Sequence, residues 1–390
     1  MKIISSFALL VVSTIALAES TWSVAIETEE DWHYYLRDCA VLSNGNAVVS
    51  ITGPFEDPFL ICFDREGEIL WSRHILEAES SRAFESLGGL VTLDDGFAVC
   101  VHSEPRATGI DTDVAVVRMD SSGSILWTFV LGEDDEDIWM STDMIPCSDG
   151  GLLVAGCPGQ QLLGGYVFKL SADGRLEWMT QPEDIEGFAL SVLQTVDGDY
   201  CVLVSNYNSI DVQHITSDGL VSAPITVADS EIPIRARISR INDSFWIFPA
   251  IEGHVLCGER LYPDNGMQNE IIVQLPSDCE VQLADILDGD LLISGGTDGL
   301  DDALLLLYNF NGDLLWQRCY DTGADDYLFK AILSNHGILA MGNINSISGE
   351  VLSFWILKTD ISGIVEGAGI TENGILLIEP EVMYIDLYDR

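Results

Sequence analysis

The chain has 390 residues, 47% of them hydrophobic and 21% charged, a composition that can fill a core and does not belong to a disordered chain. Its 17 Lys and Arg stand against 63 Asp and Glu, a net charge of -46 at pH 7. Such a field repels phosphate backbones and anionic lipid surfaces, which argues against nucleic-acid and membrane-surface binding, and it attracts cations and basic partners.

The first element in chain order is a leader. One Lys precedes an apolar run in "MKIISSFALLVVSTIALAES", and small residues at 16–18 suit a cleavage site, so residues 1–18 read as a signal peptide cut after Ala18. No Cys follows to carry a lipid, and no later stretch reaches the roughly 18 apolar residues of a spanning helix. The expected product is exported, secreted or periplasmic, with no membrane insertion.

A strand with Trp22 comes next, and then two rulers mark repeating units. Unit one runs through "SNGNAVVS" and "DREGEILW", unit two through "DDGFAVCV" and "DSSGSILW", and unit three through "SDGGLLVAG" and "SADGRLEW". Unit four has "VDGDYCVLV" and Gly219, unit five "NDSFWIF" and Gly266, unit six "LDGDLLISG" and "NFNGDLLW", and unit seven "NHGILAMG" and "KTDISG". The glycines of the second ruler, from Gly67 to Gly363, are spaced 56, 51, 45, 47, 46 and 51 residues apart. Each unit holds four short β-rich runs, a to d, parted by turn residues. Asp accepts backbone N–H bonds in these turns and Gly supplies a positive φ. Four strands per 40–50 residues is the signature of a β-propeller. The predicted fold is therefore all-β: a seven-bladed propeller of four-stranded blades over residues 19–365. Trp22 lacks strands b and c before it, so the N-terminal strand is expected to supply strand d of the last blade and close the ring. Residues 366–390 read as a C-terminal β-hairpin or tail.

The stretches "DALLLLYNFNGDLLW", "YVFKLSADGRLEW", "SDGGLLVAG" and "FWILKTDISG" resemble the repeats of bacterial secreted β-propeller proteins, over almost all of the mature chain. More loosely they are similar to the Trp-docking repeat of quinoprotein-type propellers, in which a Gly-x-x-x-Trp on the outer strand packs between blades. That second resemblance implies eight blades, a calcium site and an adjacent Cys–Cys pair. Seven units and no Cys–Cys dipeptide are present, so no quinone cofactor is expected.

Local catalytic motifs are absent: no His-Glu-x-x-His, no Gly-x-Ser-x-Gly and no phosphate-cradling loop. The nine cysteines form no C-x-x-C and sit mostly in apolar runs, as small buried hydrophobes do; the six histidines are scattered and read as surface or packing residues. The positional signal is an acidic loop between strand d of one unit and strand a of the next, carrying Asp31, Asp137, Asp184 and Asp325 among others. The b-to-c loops add Glu56, Asp57, Asp111, Asp113, Asp301 and Asp302 to the same face. Two readings follow. Either one Asp per unit caps its loop by accepting backbone N–H bonds, or the carboxylates ring one mouth of the channel and attract Ca²⁺ or a basic ligand. The expected function is a non-enzymatic binding or scaffold module for a protein, glycan or cation. The alternative is a secreted carbohydrate-active hydrolase or lyase whose site is assembled from several blades.

Overall fold

A computed structural model of the chain describes residues 9–13, 21–28, 35–52, 59–77, 82–105, 113–132, 139–158, 164–180, 185, 187–206, 209–228, 237–241, 244–248, 255–262, 266–276, 279–287, 290–297, 302–309, 311–321, 325–334, 337–345, 351–364, 376–378 and 381–385. β1 (Leu9–Ser13) and β2 (Trp22–Thr28) precede the first sheet, which holds β3 (Tyr35–Val41), β4 (Ala47–Thr52), β5 (Phe59–Phe63) and β6 (Ile69–Glu77). The second has β7 (Arg82–Leu93), β8 (Gly96–Pro105), β9 (Asp113–Asp120) and β10 (Ile125–Leu131). The third has β11 (Trp139–Pro146), β12 (Leu152–Pro158), β13 (Tyr166–Leu170) and β14 (Leu176–Met179), and the fourth β15 (Phe188–Gln194), β16 (Tyr200–Asn206), β17 (Ser209–Ile215) and β18 (Ile225–Ala228). The fifth has β19 (Arg237–Ile241), β20 (Ser244–Phe248), β21 (Val255–Tyr262) and β22 (Gly266–Gln274). The sixth has β23 (Cys279–Leu287), β24 (Asp290–Thr297), β25 (Ala303–Tyr308) and β26 (Leu314–Tyr320). The last begins with β27 (Asp325–Ser334), β28 (Gly337–Asn345) and β29 (Val351–Thr359), and β30 (Leu376–Ile378) and β31 (Glu381–Ile385) end the chain.

Each sheet is an antiparallel meander of sequential strands, so the expected units of four are present. In the last sheet β29 pairs not with a following strand but with β2, Trp22 opposite Lys358 and Ala25 opposite Trp355. β1, which lies inside the segment read as a leader, extends that sheet by pairing with β2. The C-terminal strands do not form the expected hairpin. β30 pairs with β1, and β31 lies beside β6 at the outer edge of the first sheet. Each takes an edge whose N–H and C=O groups lack a strand partner on that side, in preference to pairing with the other.

The chain divides into two compact units, Met1–Leu76 with Pro276–Tyr384, and Glu77–Leu275 with Ile385–Arg390. Within the first, the sixth sheet packs on the last through Leu305, Leu307, Leu328 and Leu357, and the last packs on the first sheet through Trp22, Val49, Ile61, Met341 and Ile356. Within the second, the second to fifth sheets stack in series, for example Val116 with Val154 and Leu153 with Val202. A sheet covered on both faces needs apolar residues on both. That is why β4, β5, β13 and β25 are unbroken buried runs rather than alternating ones. Outer strands such as β14 and β26 keep exposed positions.

The turn between strands c and d does what its residues predict. Asp120 Oδ1 accepts the N–H groups of Ser122 (2.8 Å) and Ser124 (2.9 Å), and Asp64, Asn309 and Asp360 repeat the pattern. The glycine that follows has a second task. Trp127 of the second sheet lies on Gly174 of the third, so close that a Cβ there would sit 2.6 Å from the indole. The pairs Trp178 on Gly219, Trp316 on Gly363 and Trp22 on Gly67 repeat this from sheet to next sheet, at 2.8, 2.9 and 2.7 Å. Trp127 Nε1 donates to Ala172 O and Trp178 Nε1 to Ser217 O, both at 3.0 Å, two residues before the glycine.

Gly174 (φ +81°) and Gly198 (φ +91°) separate the two demands, because a Cβ at Gly198 meets nothing within 4 Å. Gly198→Ala is expected to cost about 1 kcal/mol from backbone strain alone. Gly174→Ala adds displacement of the Trp127 indole and is expected to cost about 3 kcal/mol in all. Urea unfolding of the two variants beside the parent checks the difference.

Candidate functional site

Strand a starts, strand b ends, strand c starts and strand d ends at one edge of each sheet, as the pairs Asp325↔Asn345, Ser103↔Asp113 and Val114↔Leu131 show. Three of the expected site residues are described there. Asp113 opens β9 and is buried, 4% exposed. Its carboxylate lies so close to Gly132, the residue after β10, that Gly132 has no room for a Cβ. Asp302 precedes β25, half-buried. Its N–H donates to Thr297 Oγ1 (3.1 Å) and its carbonyl accepts the Thr297 N–H (2.9 Å), which fastens strand b to strand c. Asp325 opens β27, half-buried, and Asp326 beside it is fully buried. Asp302 and Asp325 belong to one compact unit and Asp113 to the other. Asp31, Asp137 and Asp184 lie outside the described residues, as do Glu56, Asp57, Asp111 and Asp301.

Asp211, the third residue of β17, joins this edge without having been singled out from the sequence. It is 4% exposed, opposite Val204 and Thr226. Ser209 Oγ donates to its Oδ2 at 3.1 Å, but its Oδ1, fully buried, accepts no hydrogen bond among the described residues. A buried carboxylate oxygen without a donor costs about 1–3 kcal/mol or more. The sequence carries no flag for it, because no other unit places an Asp at the matching offset from its turn glycine.

A second set of carboxylates has a structural use. In β3, β11, β15, β23 and β27 the register slips by one residue, at Arg37, Thr142, Leu190, Ala284 and Phe329. The residue after the slip is Asp38, Asp143, Ser191, Asp285 or Lys330. Asp143 accepts from Met144 N (3.0 Å) with one oxygen and from Ser191 Oγ and Val192 N (both 2.9 Å) of the fourth sheet with the other. Asp285 accepts from Ile286 N (2.8 Å) and from Leu333 N (2.7 Å) of the last sheet. Asp38 accepts from Cys39 N (2.9 Å) and pairs with Lys330 Nζ (3.0 Å). These residues clasp one sheet to its neighbour. Asp38 and Asp143 do recur seven residues before Gly45 and Gly150, a periodicity the sequence contains; Asp285 breaks it because its hairpin is tighter, with Leu287 opposite Asp290.

Nucleophile–base geometry is found once among these contacts and serves packing. Cys100 Sγ lies 3.0 Å from Ser141 Oγ, and His102 Nε2 lies 2.9 Å from the same oxygen. However, His102 Nε2 accepts the Ser141 N–H (2.9 Å), so the nitrogen a base needs is already engaged, and all three residues are buried. Burial pushes the Cys100 thiol up to about 12, the Ser141 hydrogen bond opposing only in part. Cys62, Cys147 and Cys201 are likewise held at about 12, chiefly by burial, which keeps them as inert thiols.

No protein-family model matches the chain, and no curated protein matches it. Solved structures do. The Dos1 propeller matches with a TM-score of 0.51 at 10% identity, over 88% of this chain and 88% of that one. The chain has a β-propeller fold. A protein from Lactobacillus plantarum (TM-score 0.48, 14% identity, 79% of this chain and 93% of that) and a protein of unknown function from Bacteroides caccae (0.41, 14%, 81% and 94%) are further neighbours. At these identities the likeness concerns the fold alone, and propellers host unrelated activities.

The clasps of the propeller can be weighed separately from its edge. Asp143→Ala is expected to lose about 2–3 kcal/mol, since it strands the Val192 N–H and the Ser191 hydroxyl together, whereas Ser191→Ala costs about 1 kcal/mol. The double variant should cost less than the sum of the two; additive losses in urea unfolding would show that the two groups do not act together.

Proposed function

We propose that this chain is an exported, non-enzymatic binding propeller that presents its carboxylate edge to a cation or to a basic surface of a protein or glycan partner. Its seven sheets serve as seven blades of one ring, joined where the N-terminal strand completes the last blade. The resemblance to bacterial secreted propeller repeats fits this reading. The observation that carries it is the buried Asp211 with an unpartnered Oδ1, on the same sheet edge as Asp113, Asp302 and Asp325, in a chain of net charge -46. A hard cation, or an N–H group of a partner, satisfies that oxygen and offsets the cost of its burial. Among the described residues no three His, Cys, Asp or Glu side chains gather as a metal cluster. A Ca²⁺ ion at Asp211 therefore draws its remaining oxygens from hydroxyls, backbone carbonyls or water.

Calorimetric titration of the whole chain with Ca²⁺ and with a short oligolysine, in moderate salt, tests the reading. Heat is expected with at least one probe. Asp211→Asn is expected to weaken it at least tenfold and, without the probe, to raise the melting temperature, because an uncompensated buried charge is gone. Neither heat nor a melting shift with either probe overturns the proposal. Export has its own test. The intact mass of the protein recovered outside the cytoplasm is expected to begin at Glu19, and a chain that retains residues 1–18 refutes the leader.

A further inference from the structure

The opposite edge of the sheets, where strand a turns into b and c into d, repeats a basic side chain. Arg118, Lys169, His214 and Lys358 each stand five residues before a turn glycine, at Gly123, Gly174, Gly219 and Gly363. Three of the four meet acids of their own sheet. Arg118 pairs with Asp95; Lys169 pairs with Asp149 (2.8 Å) and Glu177 (3.3 Å); His214 pairs with Asp199 (3.0 Å). Asp95 and Asp149 directly precede the a-to-b turn glycines Gly96 and Gly150. In the last sheet the residue before Gly337 is His336, so the sequence offers no acid at that place.

Lys358 is fully buried all the same. Among the described residues its Nζ donates to Gly45 O of the first sheet at 3.3 Å and meets no carboxylate. An ammonium group has three donors, and one long bond to a neutral carbonyl does not offset its desolvation. Burial, and then the charge of Arg65, bring its pKa down to about 8, against 10.5 for an ordinary lysine. Between those values the unfolded chain holds the proton more tightly, so the charge destabilises the fold below about pH 8 and the penalty fades as pH rises. Lys169, with its acids, is shifted the other way: burial lowers it, and the Asp149 hydrogen bond together with the negative charges of Cys147, Asp149 and Glu177 more than reverses that.

A second donor on the same face lacks an acceptor. Trp22, opposite Lys358 in the sheet register, is 2% exposed and its Nε1 makes no hydrogen bond among the described residues, unlike the corresponding nitrogens of Trp127 and Trp178. Trp22 lies on Gly67 and Lys358 on Gly45, the two turns of the first sheet. Arg65, exposed and bonded to Asn44 O (2.7 Å), reaches from one of these turns over Gly45 of the other, whose carbonyl Lys358 meets. The place therefore gathers an ammonium, an indole N–H and a guanidinium, with the acid that its sister sheets supply left out.

We propose that Lys358, at the turn edge between the last and first sheets, binds the carboxylate of an exogenous ligand in the place that Asp95 and Asp149 fill in their own sheets. Arg65 swings outward to admit it. A carboxylate there accepts from Lys358 and from Trp22 or Arg65, and charge-assisted bonds of this kind are the strong ones.

Thermal unfolding of the full chain at pH 7 and fixed ionic strength tests this, with sodium acetate, an Asp-containing capped tripeptide, or sodium chloride as the added solute. Either carboxylate is expected to raise the melting temperature by roughly 2 °C at about ten times its dissociation constant, and chloride is not. Lys358→Met is expected to abolish the response. His336→Asp, which returns the missing acid, is expected to raise the melting temperature by itself and also to abolish the response; it keeps the test decisive if Lys358→Met fails to fold. A response to acetate identifies small acids as sufficient, and a response to the tripeptide alone identifies a peptide carboxylate. No response to either carboxylate, an equal response to chloride, or an undiminished response in His336→Asp overturns the proposal.

Discussion

An indole resting on a glycine is the constraint on which the neighbouring sheets depend. Trp22, Trp127, Trp178 and Trp316 each leave the outer strand of one sheet and cover the turn glycine of the next, at Gly67, Gly174, Gly219 and Gly363. An indole buries roughly 150–250 Å² of surface when enclosed, among the largest gains one side chain can bring. The geometry asks for two things at once: a backbone at positive φ, and no Cβ between ring and chain. Only glycine gives both. The carbonyl two residues earlier then receives the indole N–H in the Trp127 and Trp178 pairs, so the contact fixes direction as well as distance. Each copy specifies how far one sheet is turned from the next, and the buried runs of strands b and c fill the space so defined.

The polar groups of the inner strands complete this from the other side of each sheet. A one-residue slip at the same place in five first strands points the next side chain along the sheet stack, and Asp143 and Asp285 use it to take N–H groups from the neighbouring sheet. The exception is instructive. In the last sheet that position holds Lys330, and it reaches Asp38 of the first sheet as a cation where the other contacts use an amide. The junction completed by the N-terminal strand is thus held by a direct charge pair, a different chemistry from its sisters.

Much of this was legible in residue spacing, for a physical reason. A turn needs its Asp and its Gly whatever surrounds it, so "DSSGSILW" and its copies mark strand pairs without tertiary information, and Trp22 standing alone marks a strand without a sheet. The C-terminal strands were less legible: "GILLIEP" and "EVMYIDL" read as a hairpin or tail by local pattern, whereas β31 lies beside β6, where an open sheet edge competes with the local partner. Asp211 was not legible at all. Its interest lies in what fails to reach Oδ1, and a missing neighbour leaves no mark in the order of residues.

The two edges of the sheets pose the same electrostatic problem with opposite signs. In a chain with 63 acids and 17 Lys and Arg, carboxylates are plentiful, and among the described residues Asp64, Asp120 and Asp360 are satisfied by backbone N–H groups of their own turns. Basic side chains are scarce, and three of the four at the repeated strand-c position are matched to acids of their own sheet. Against that background two buried groups stand out among the described residues, Asp211, whose Oδ1 has no donor, at the carboxylate edge and Lys358 without an acid at the turn edge. Lys358 breaks a pattern that three sister sheets obey, Asp211 has no counterpart in the other units, and each is buried with a polar group short of a partner among the described residues. A fold built by repetition gives an internal standard for such costs. Where one copy omits a partner that the others supply, the omitted group states the chemistry that a ligand must bring.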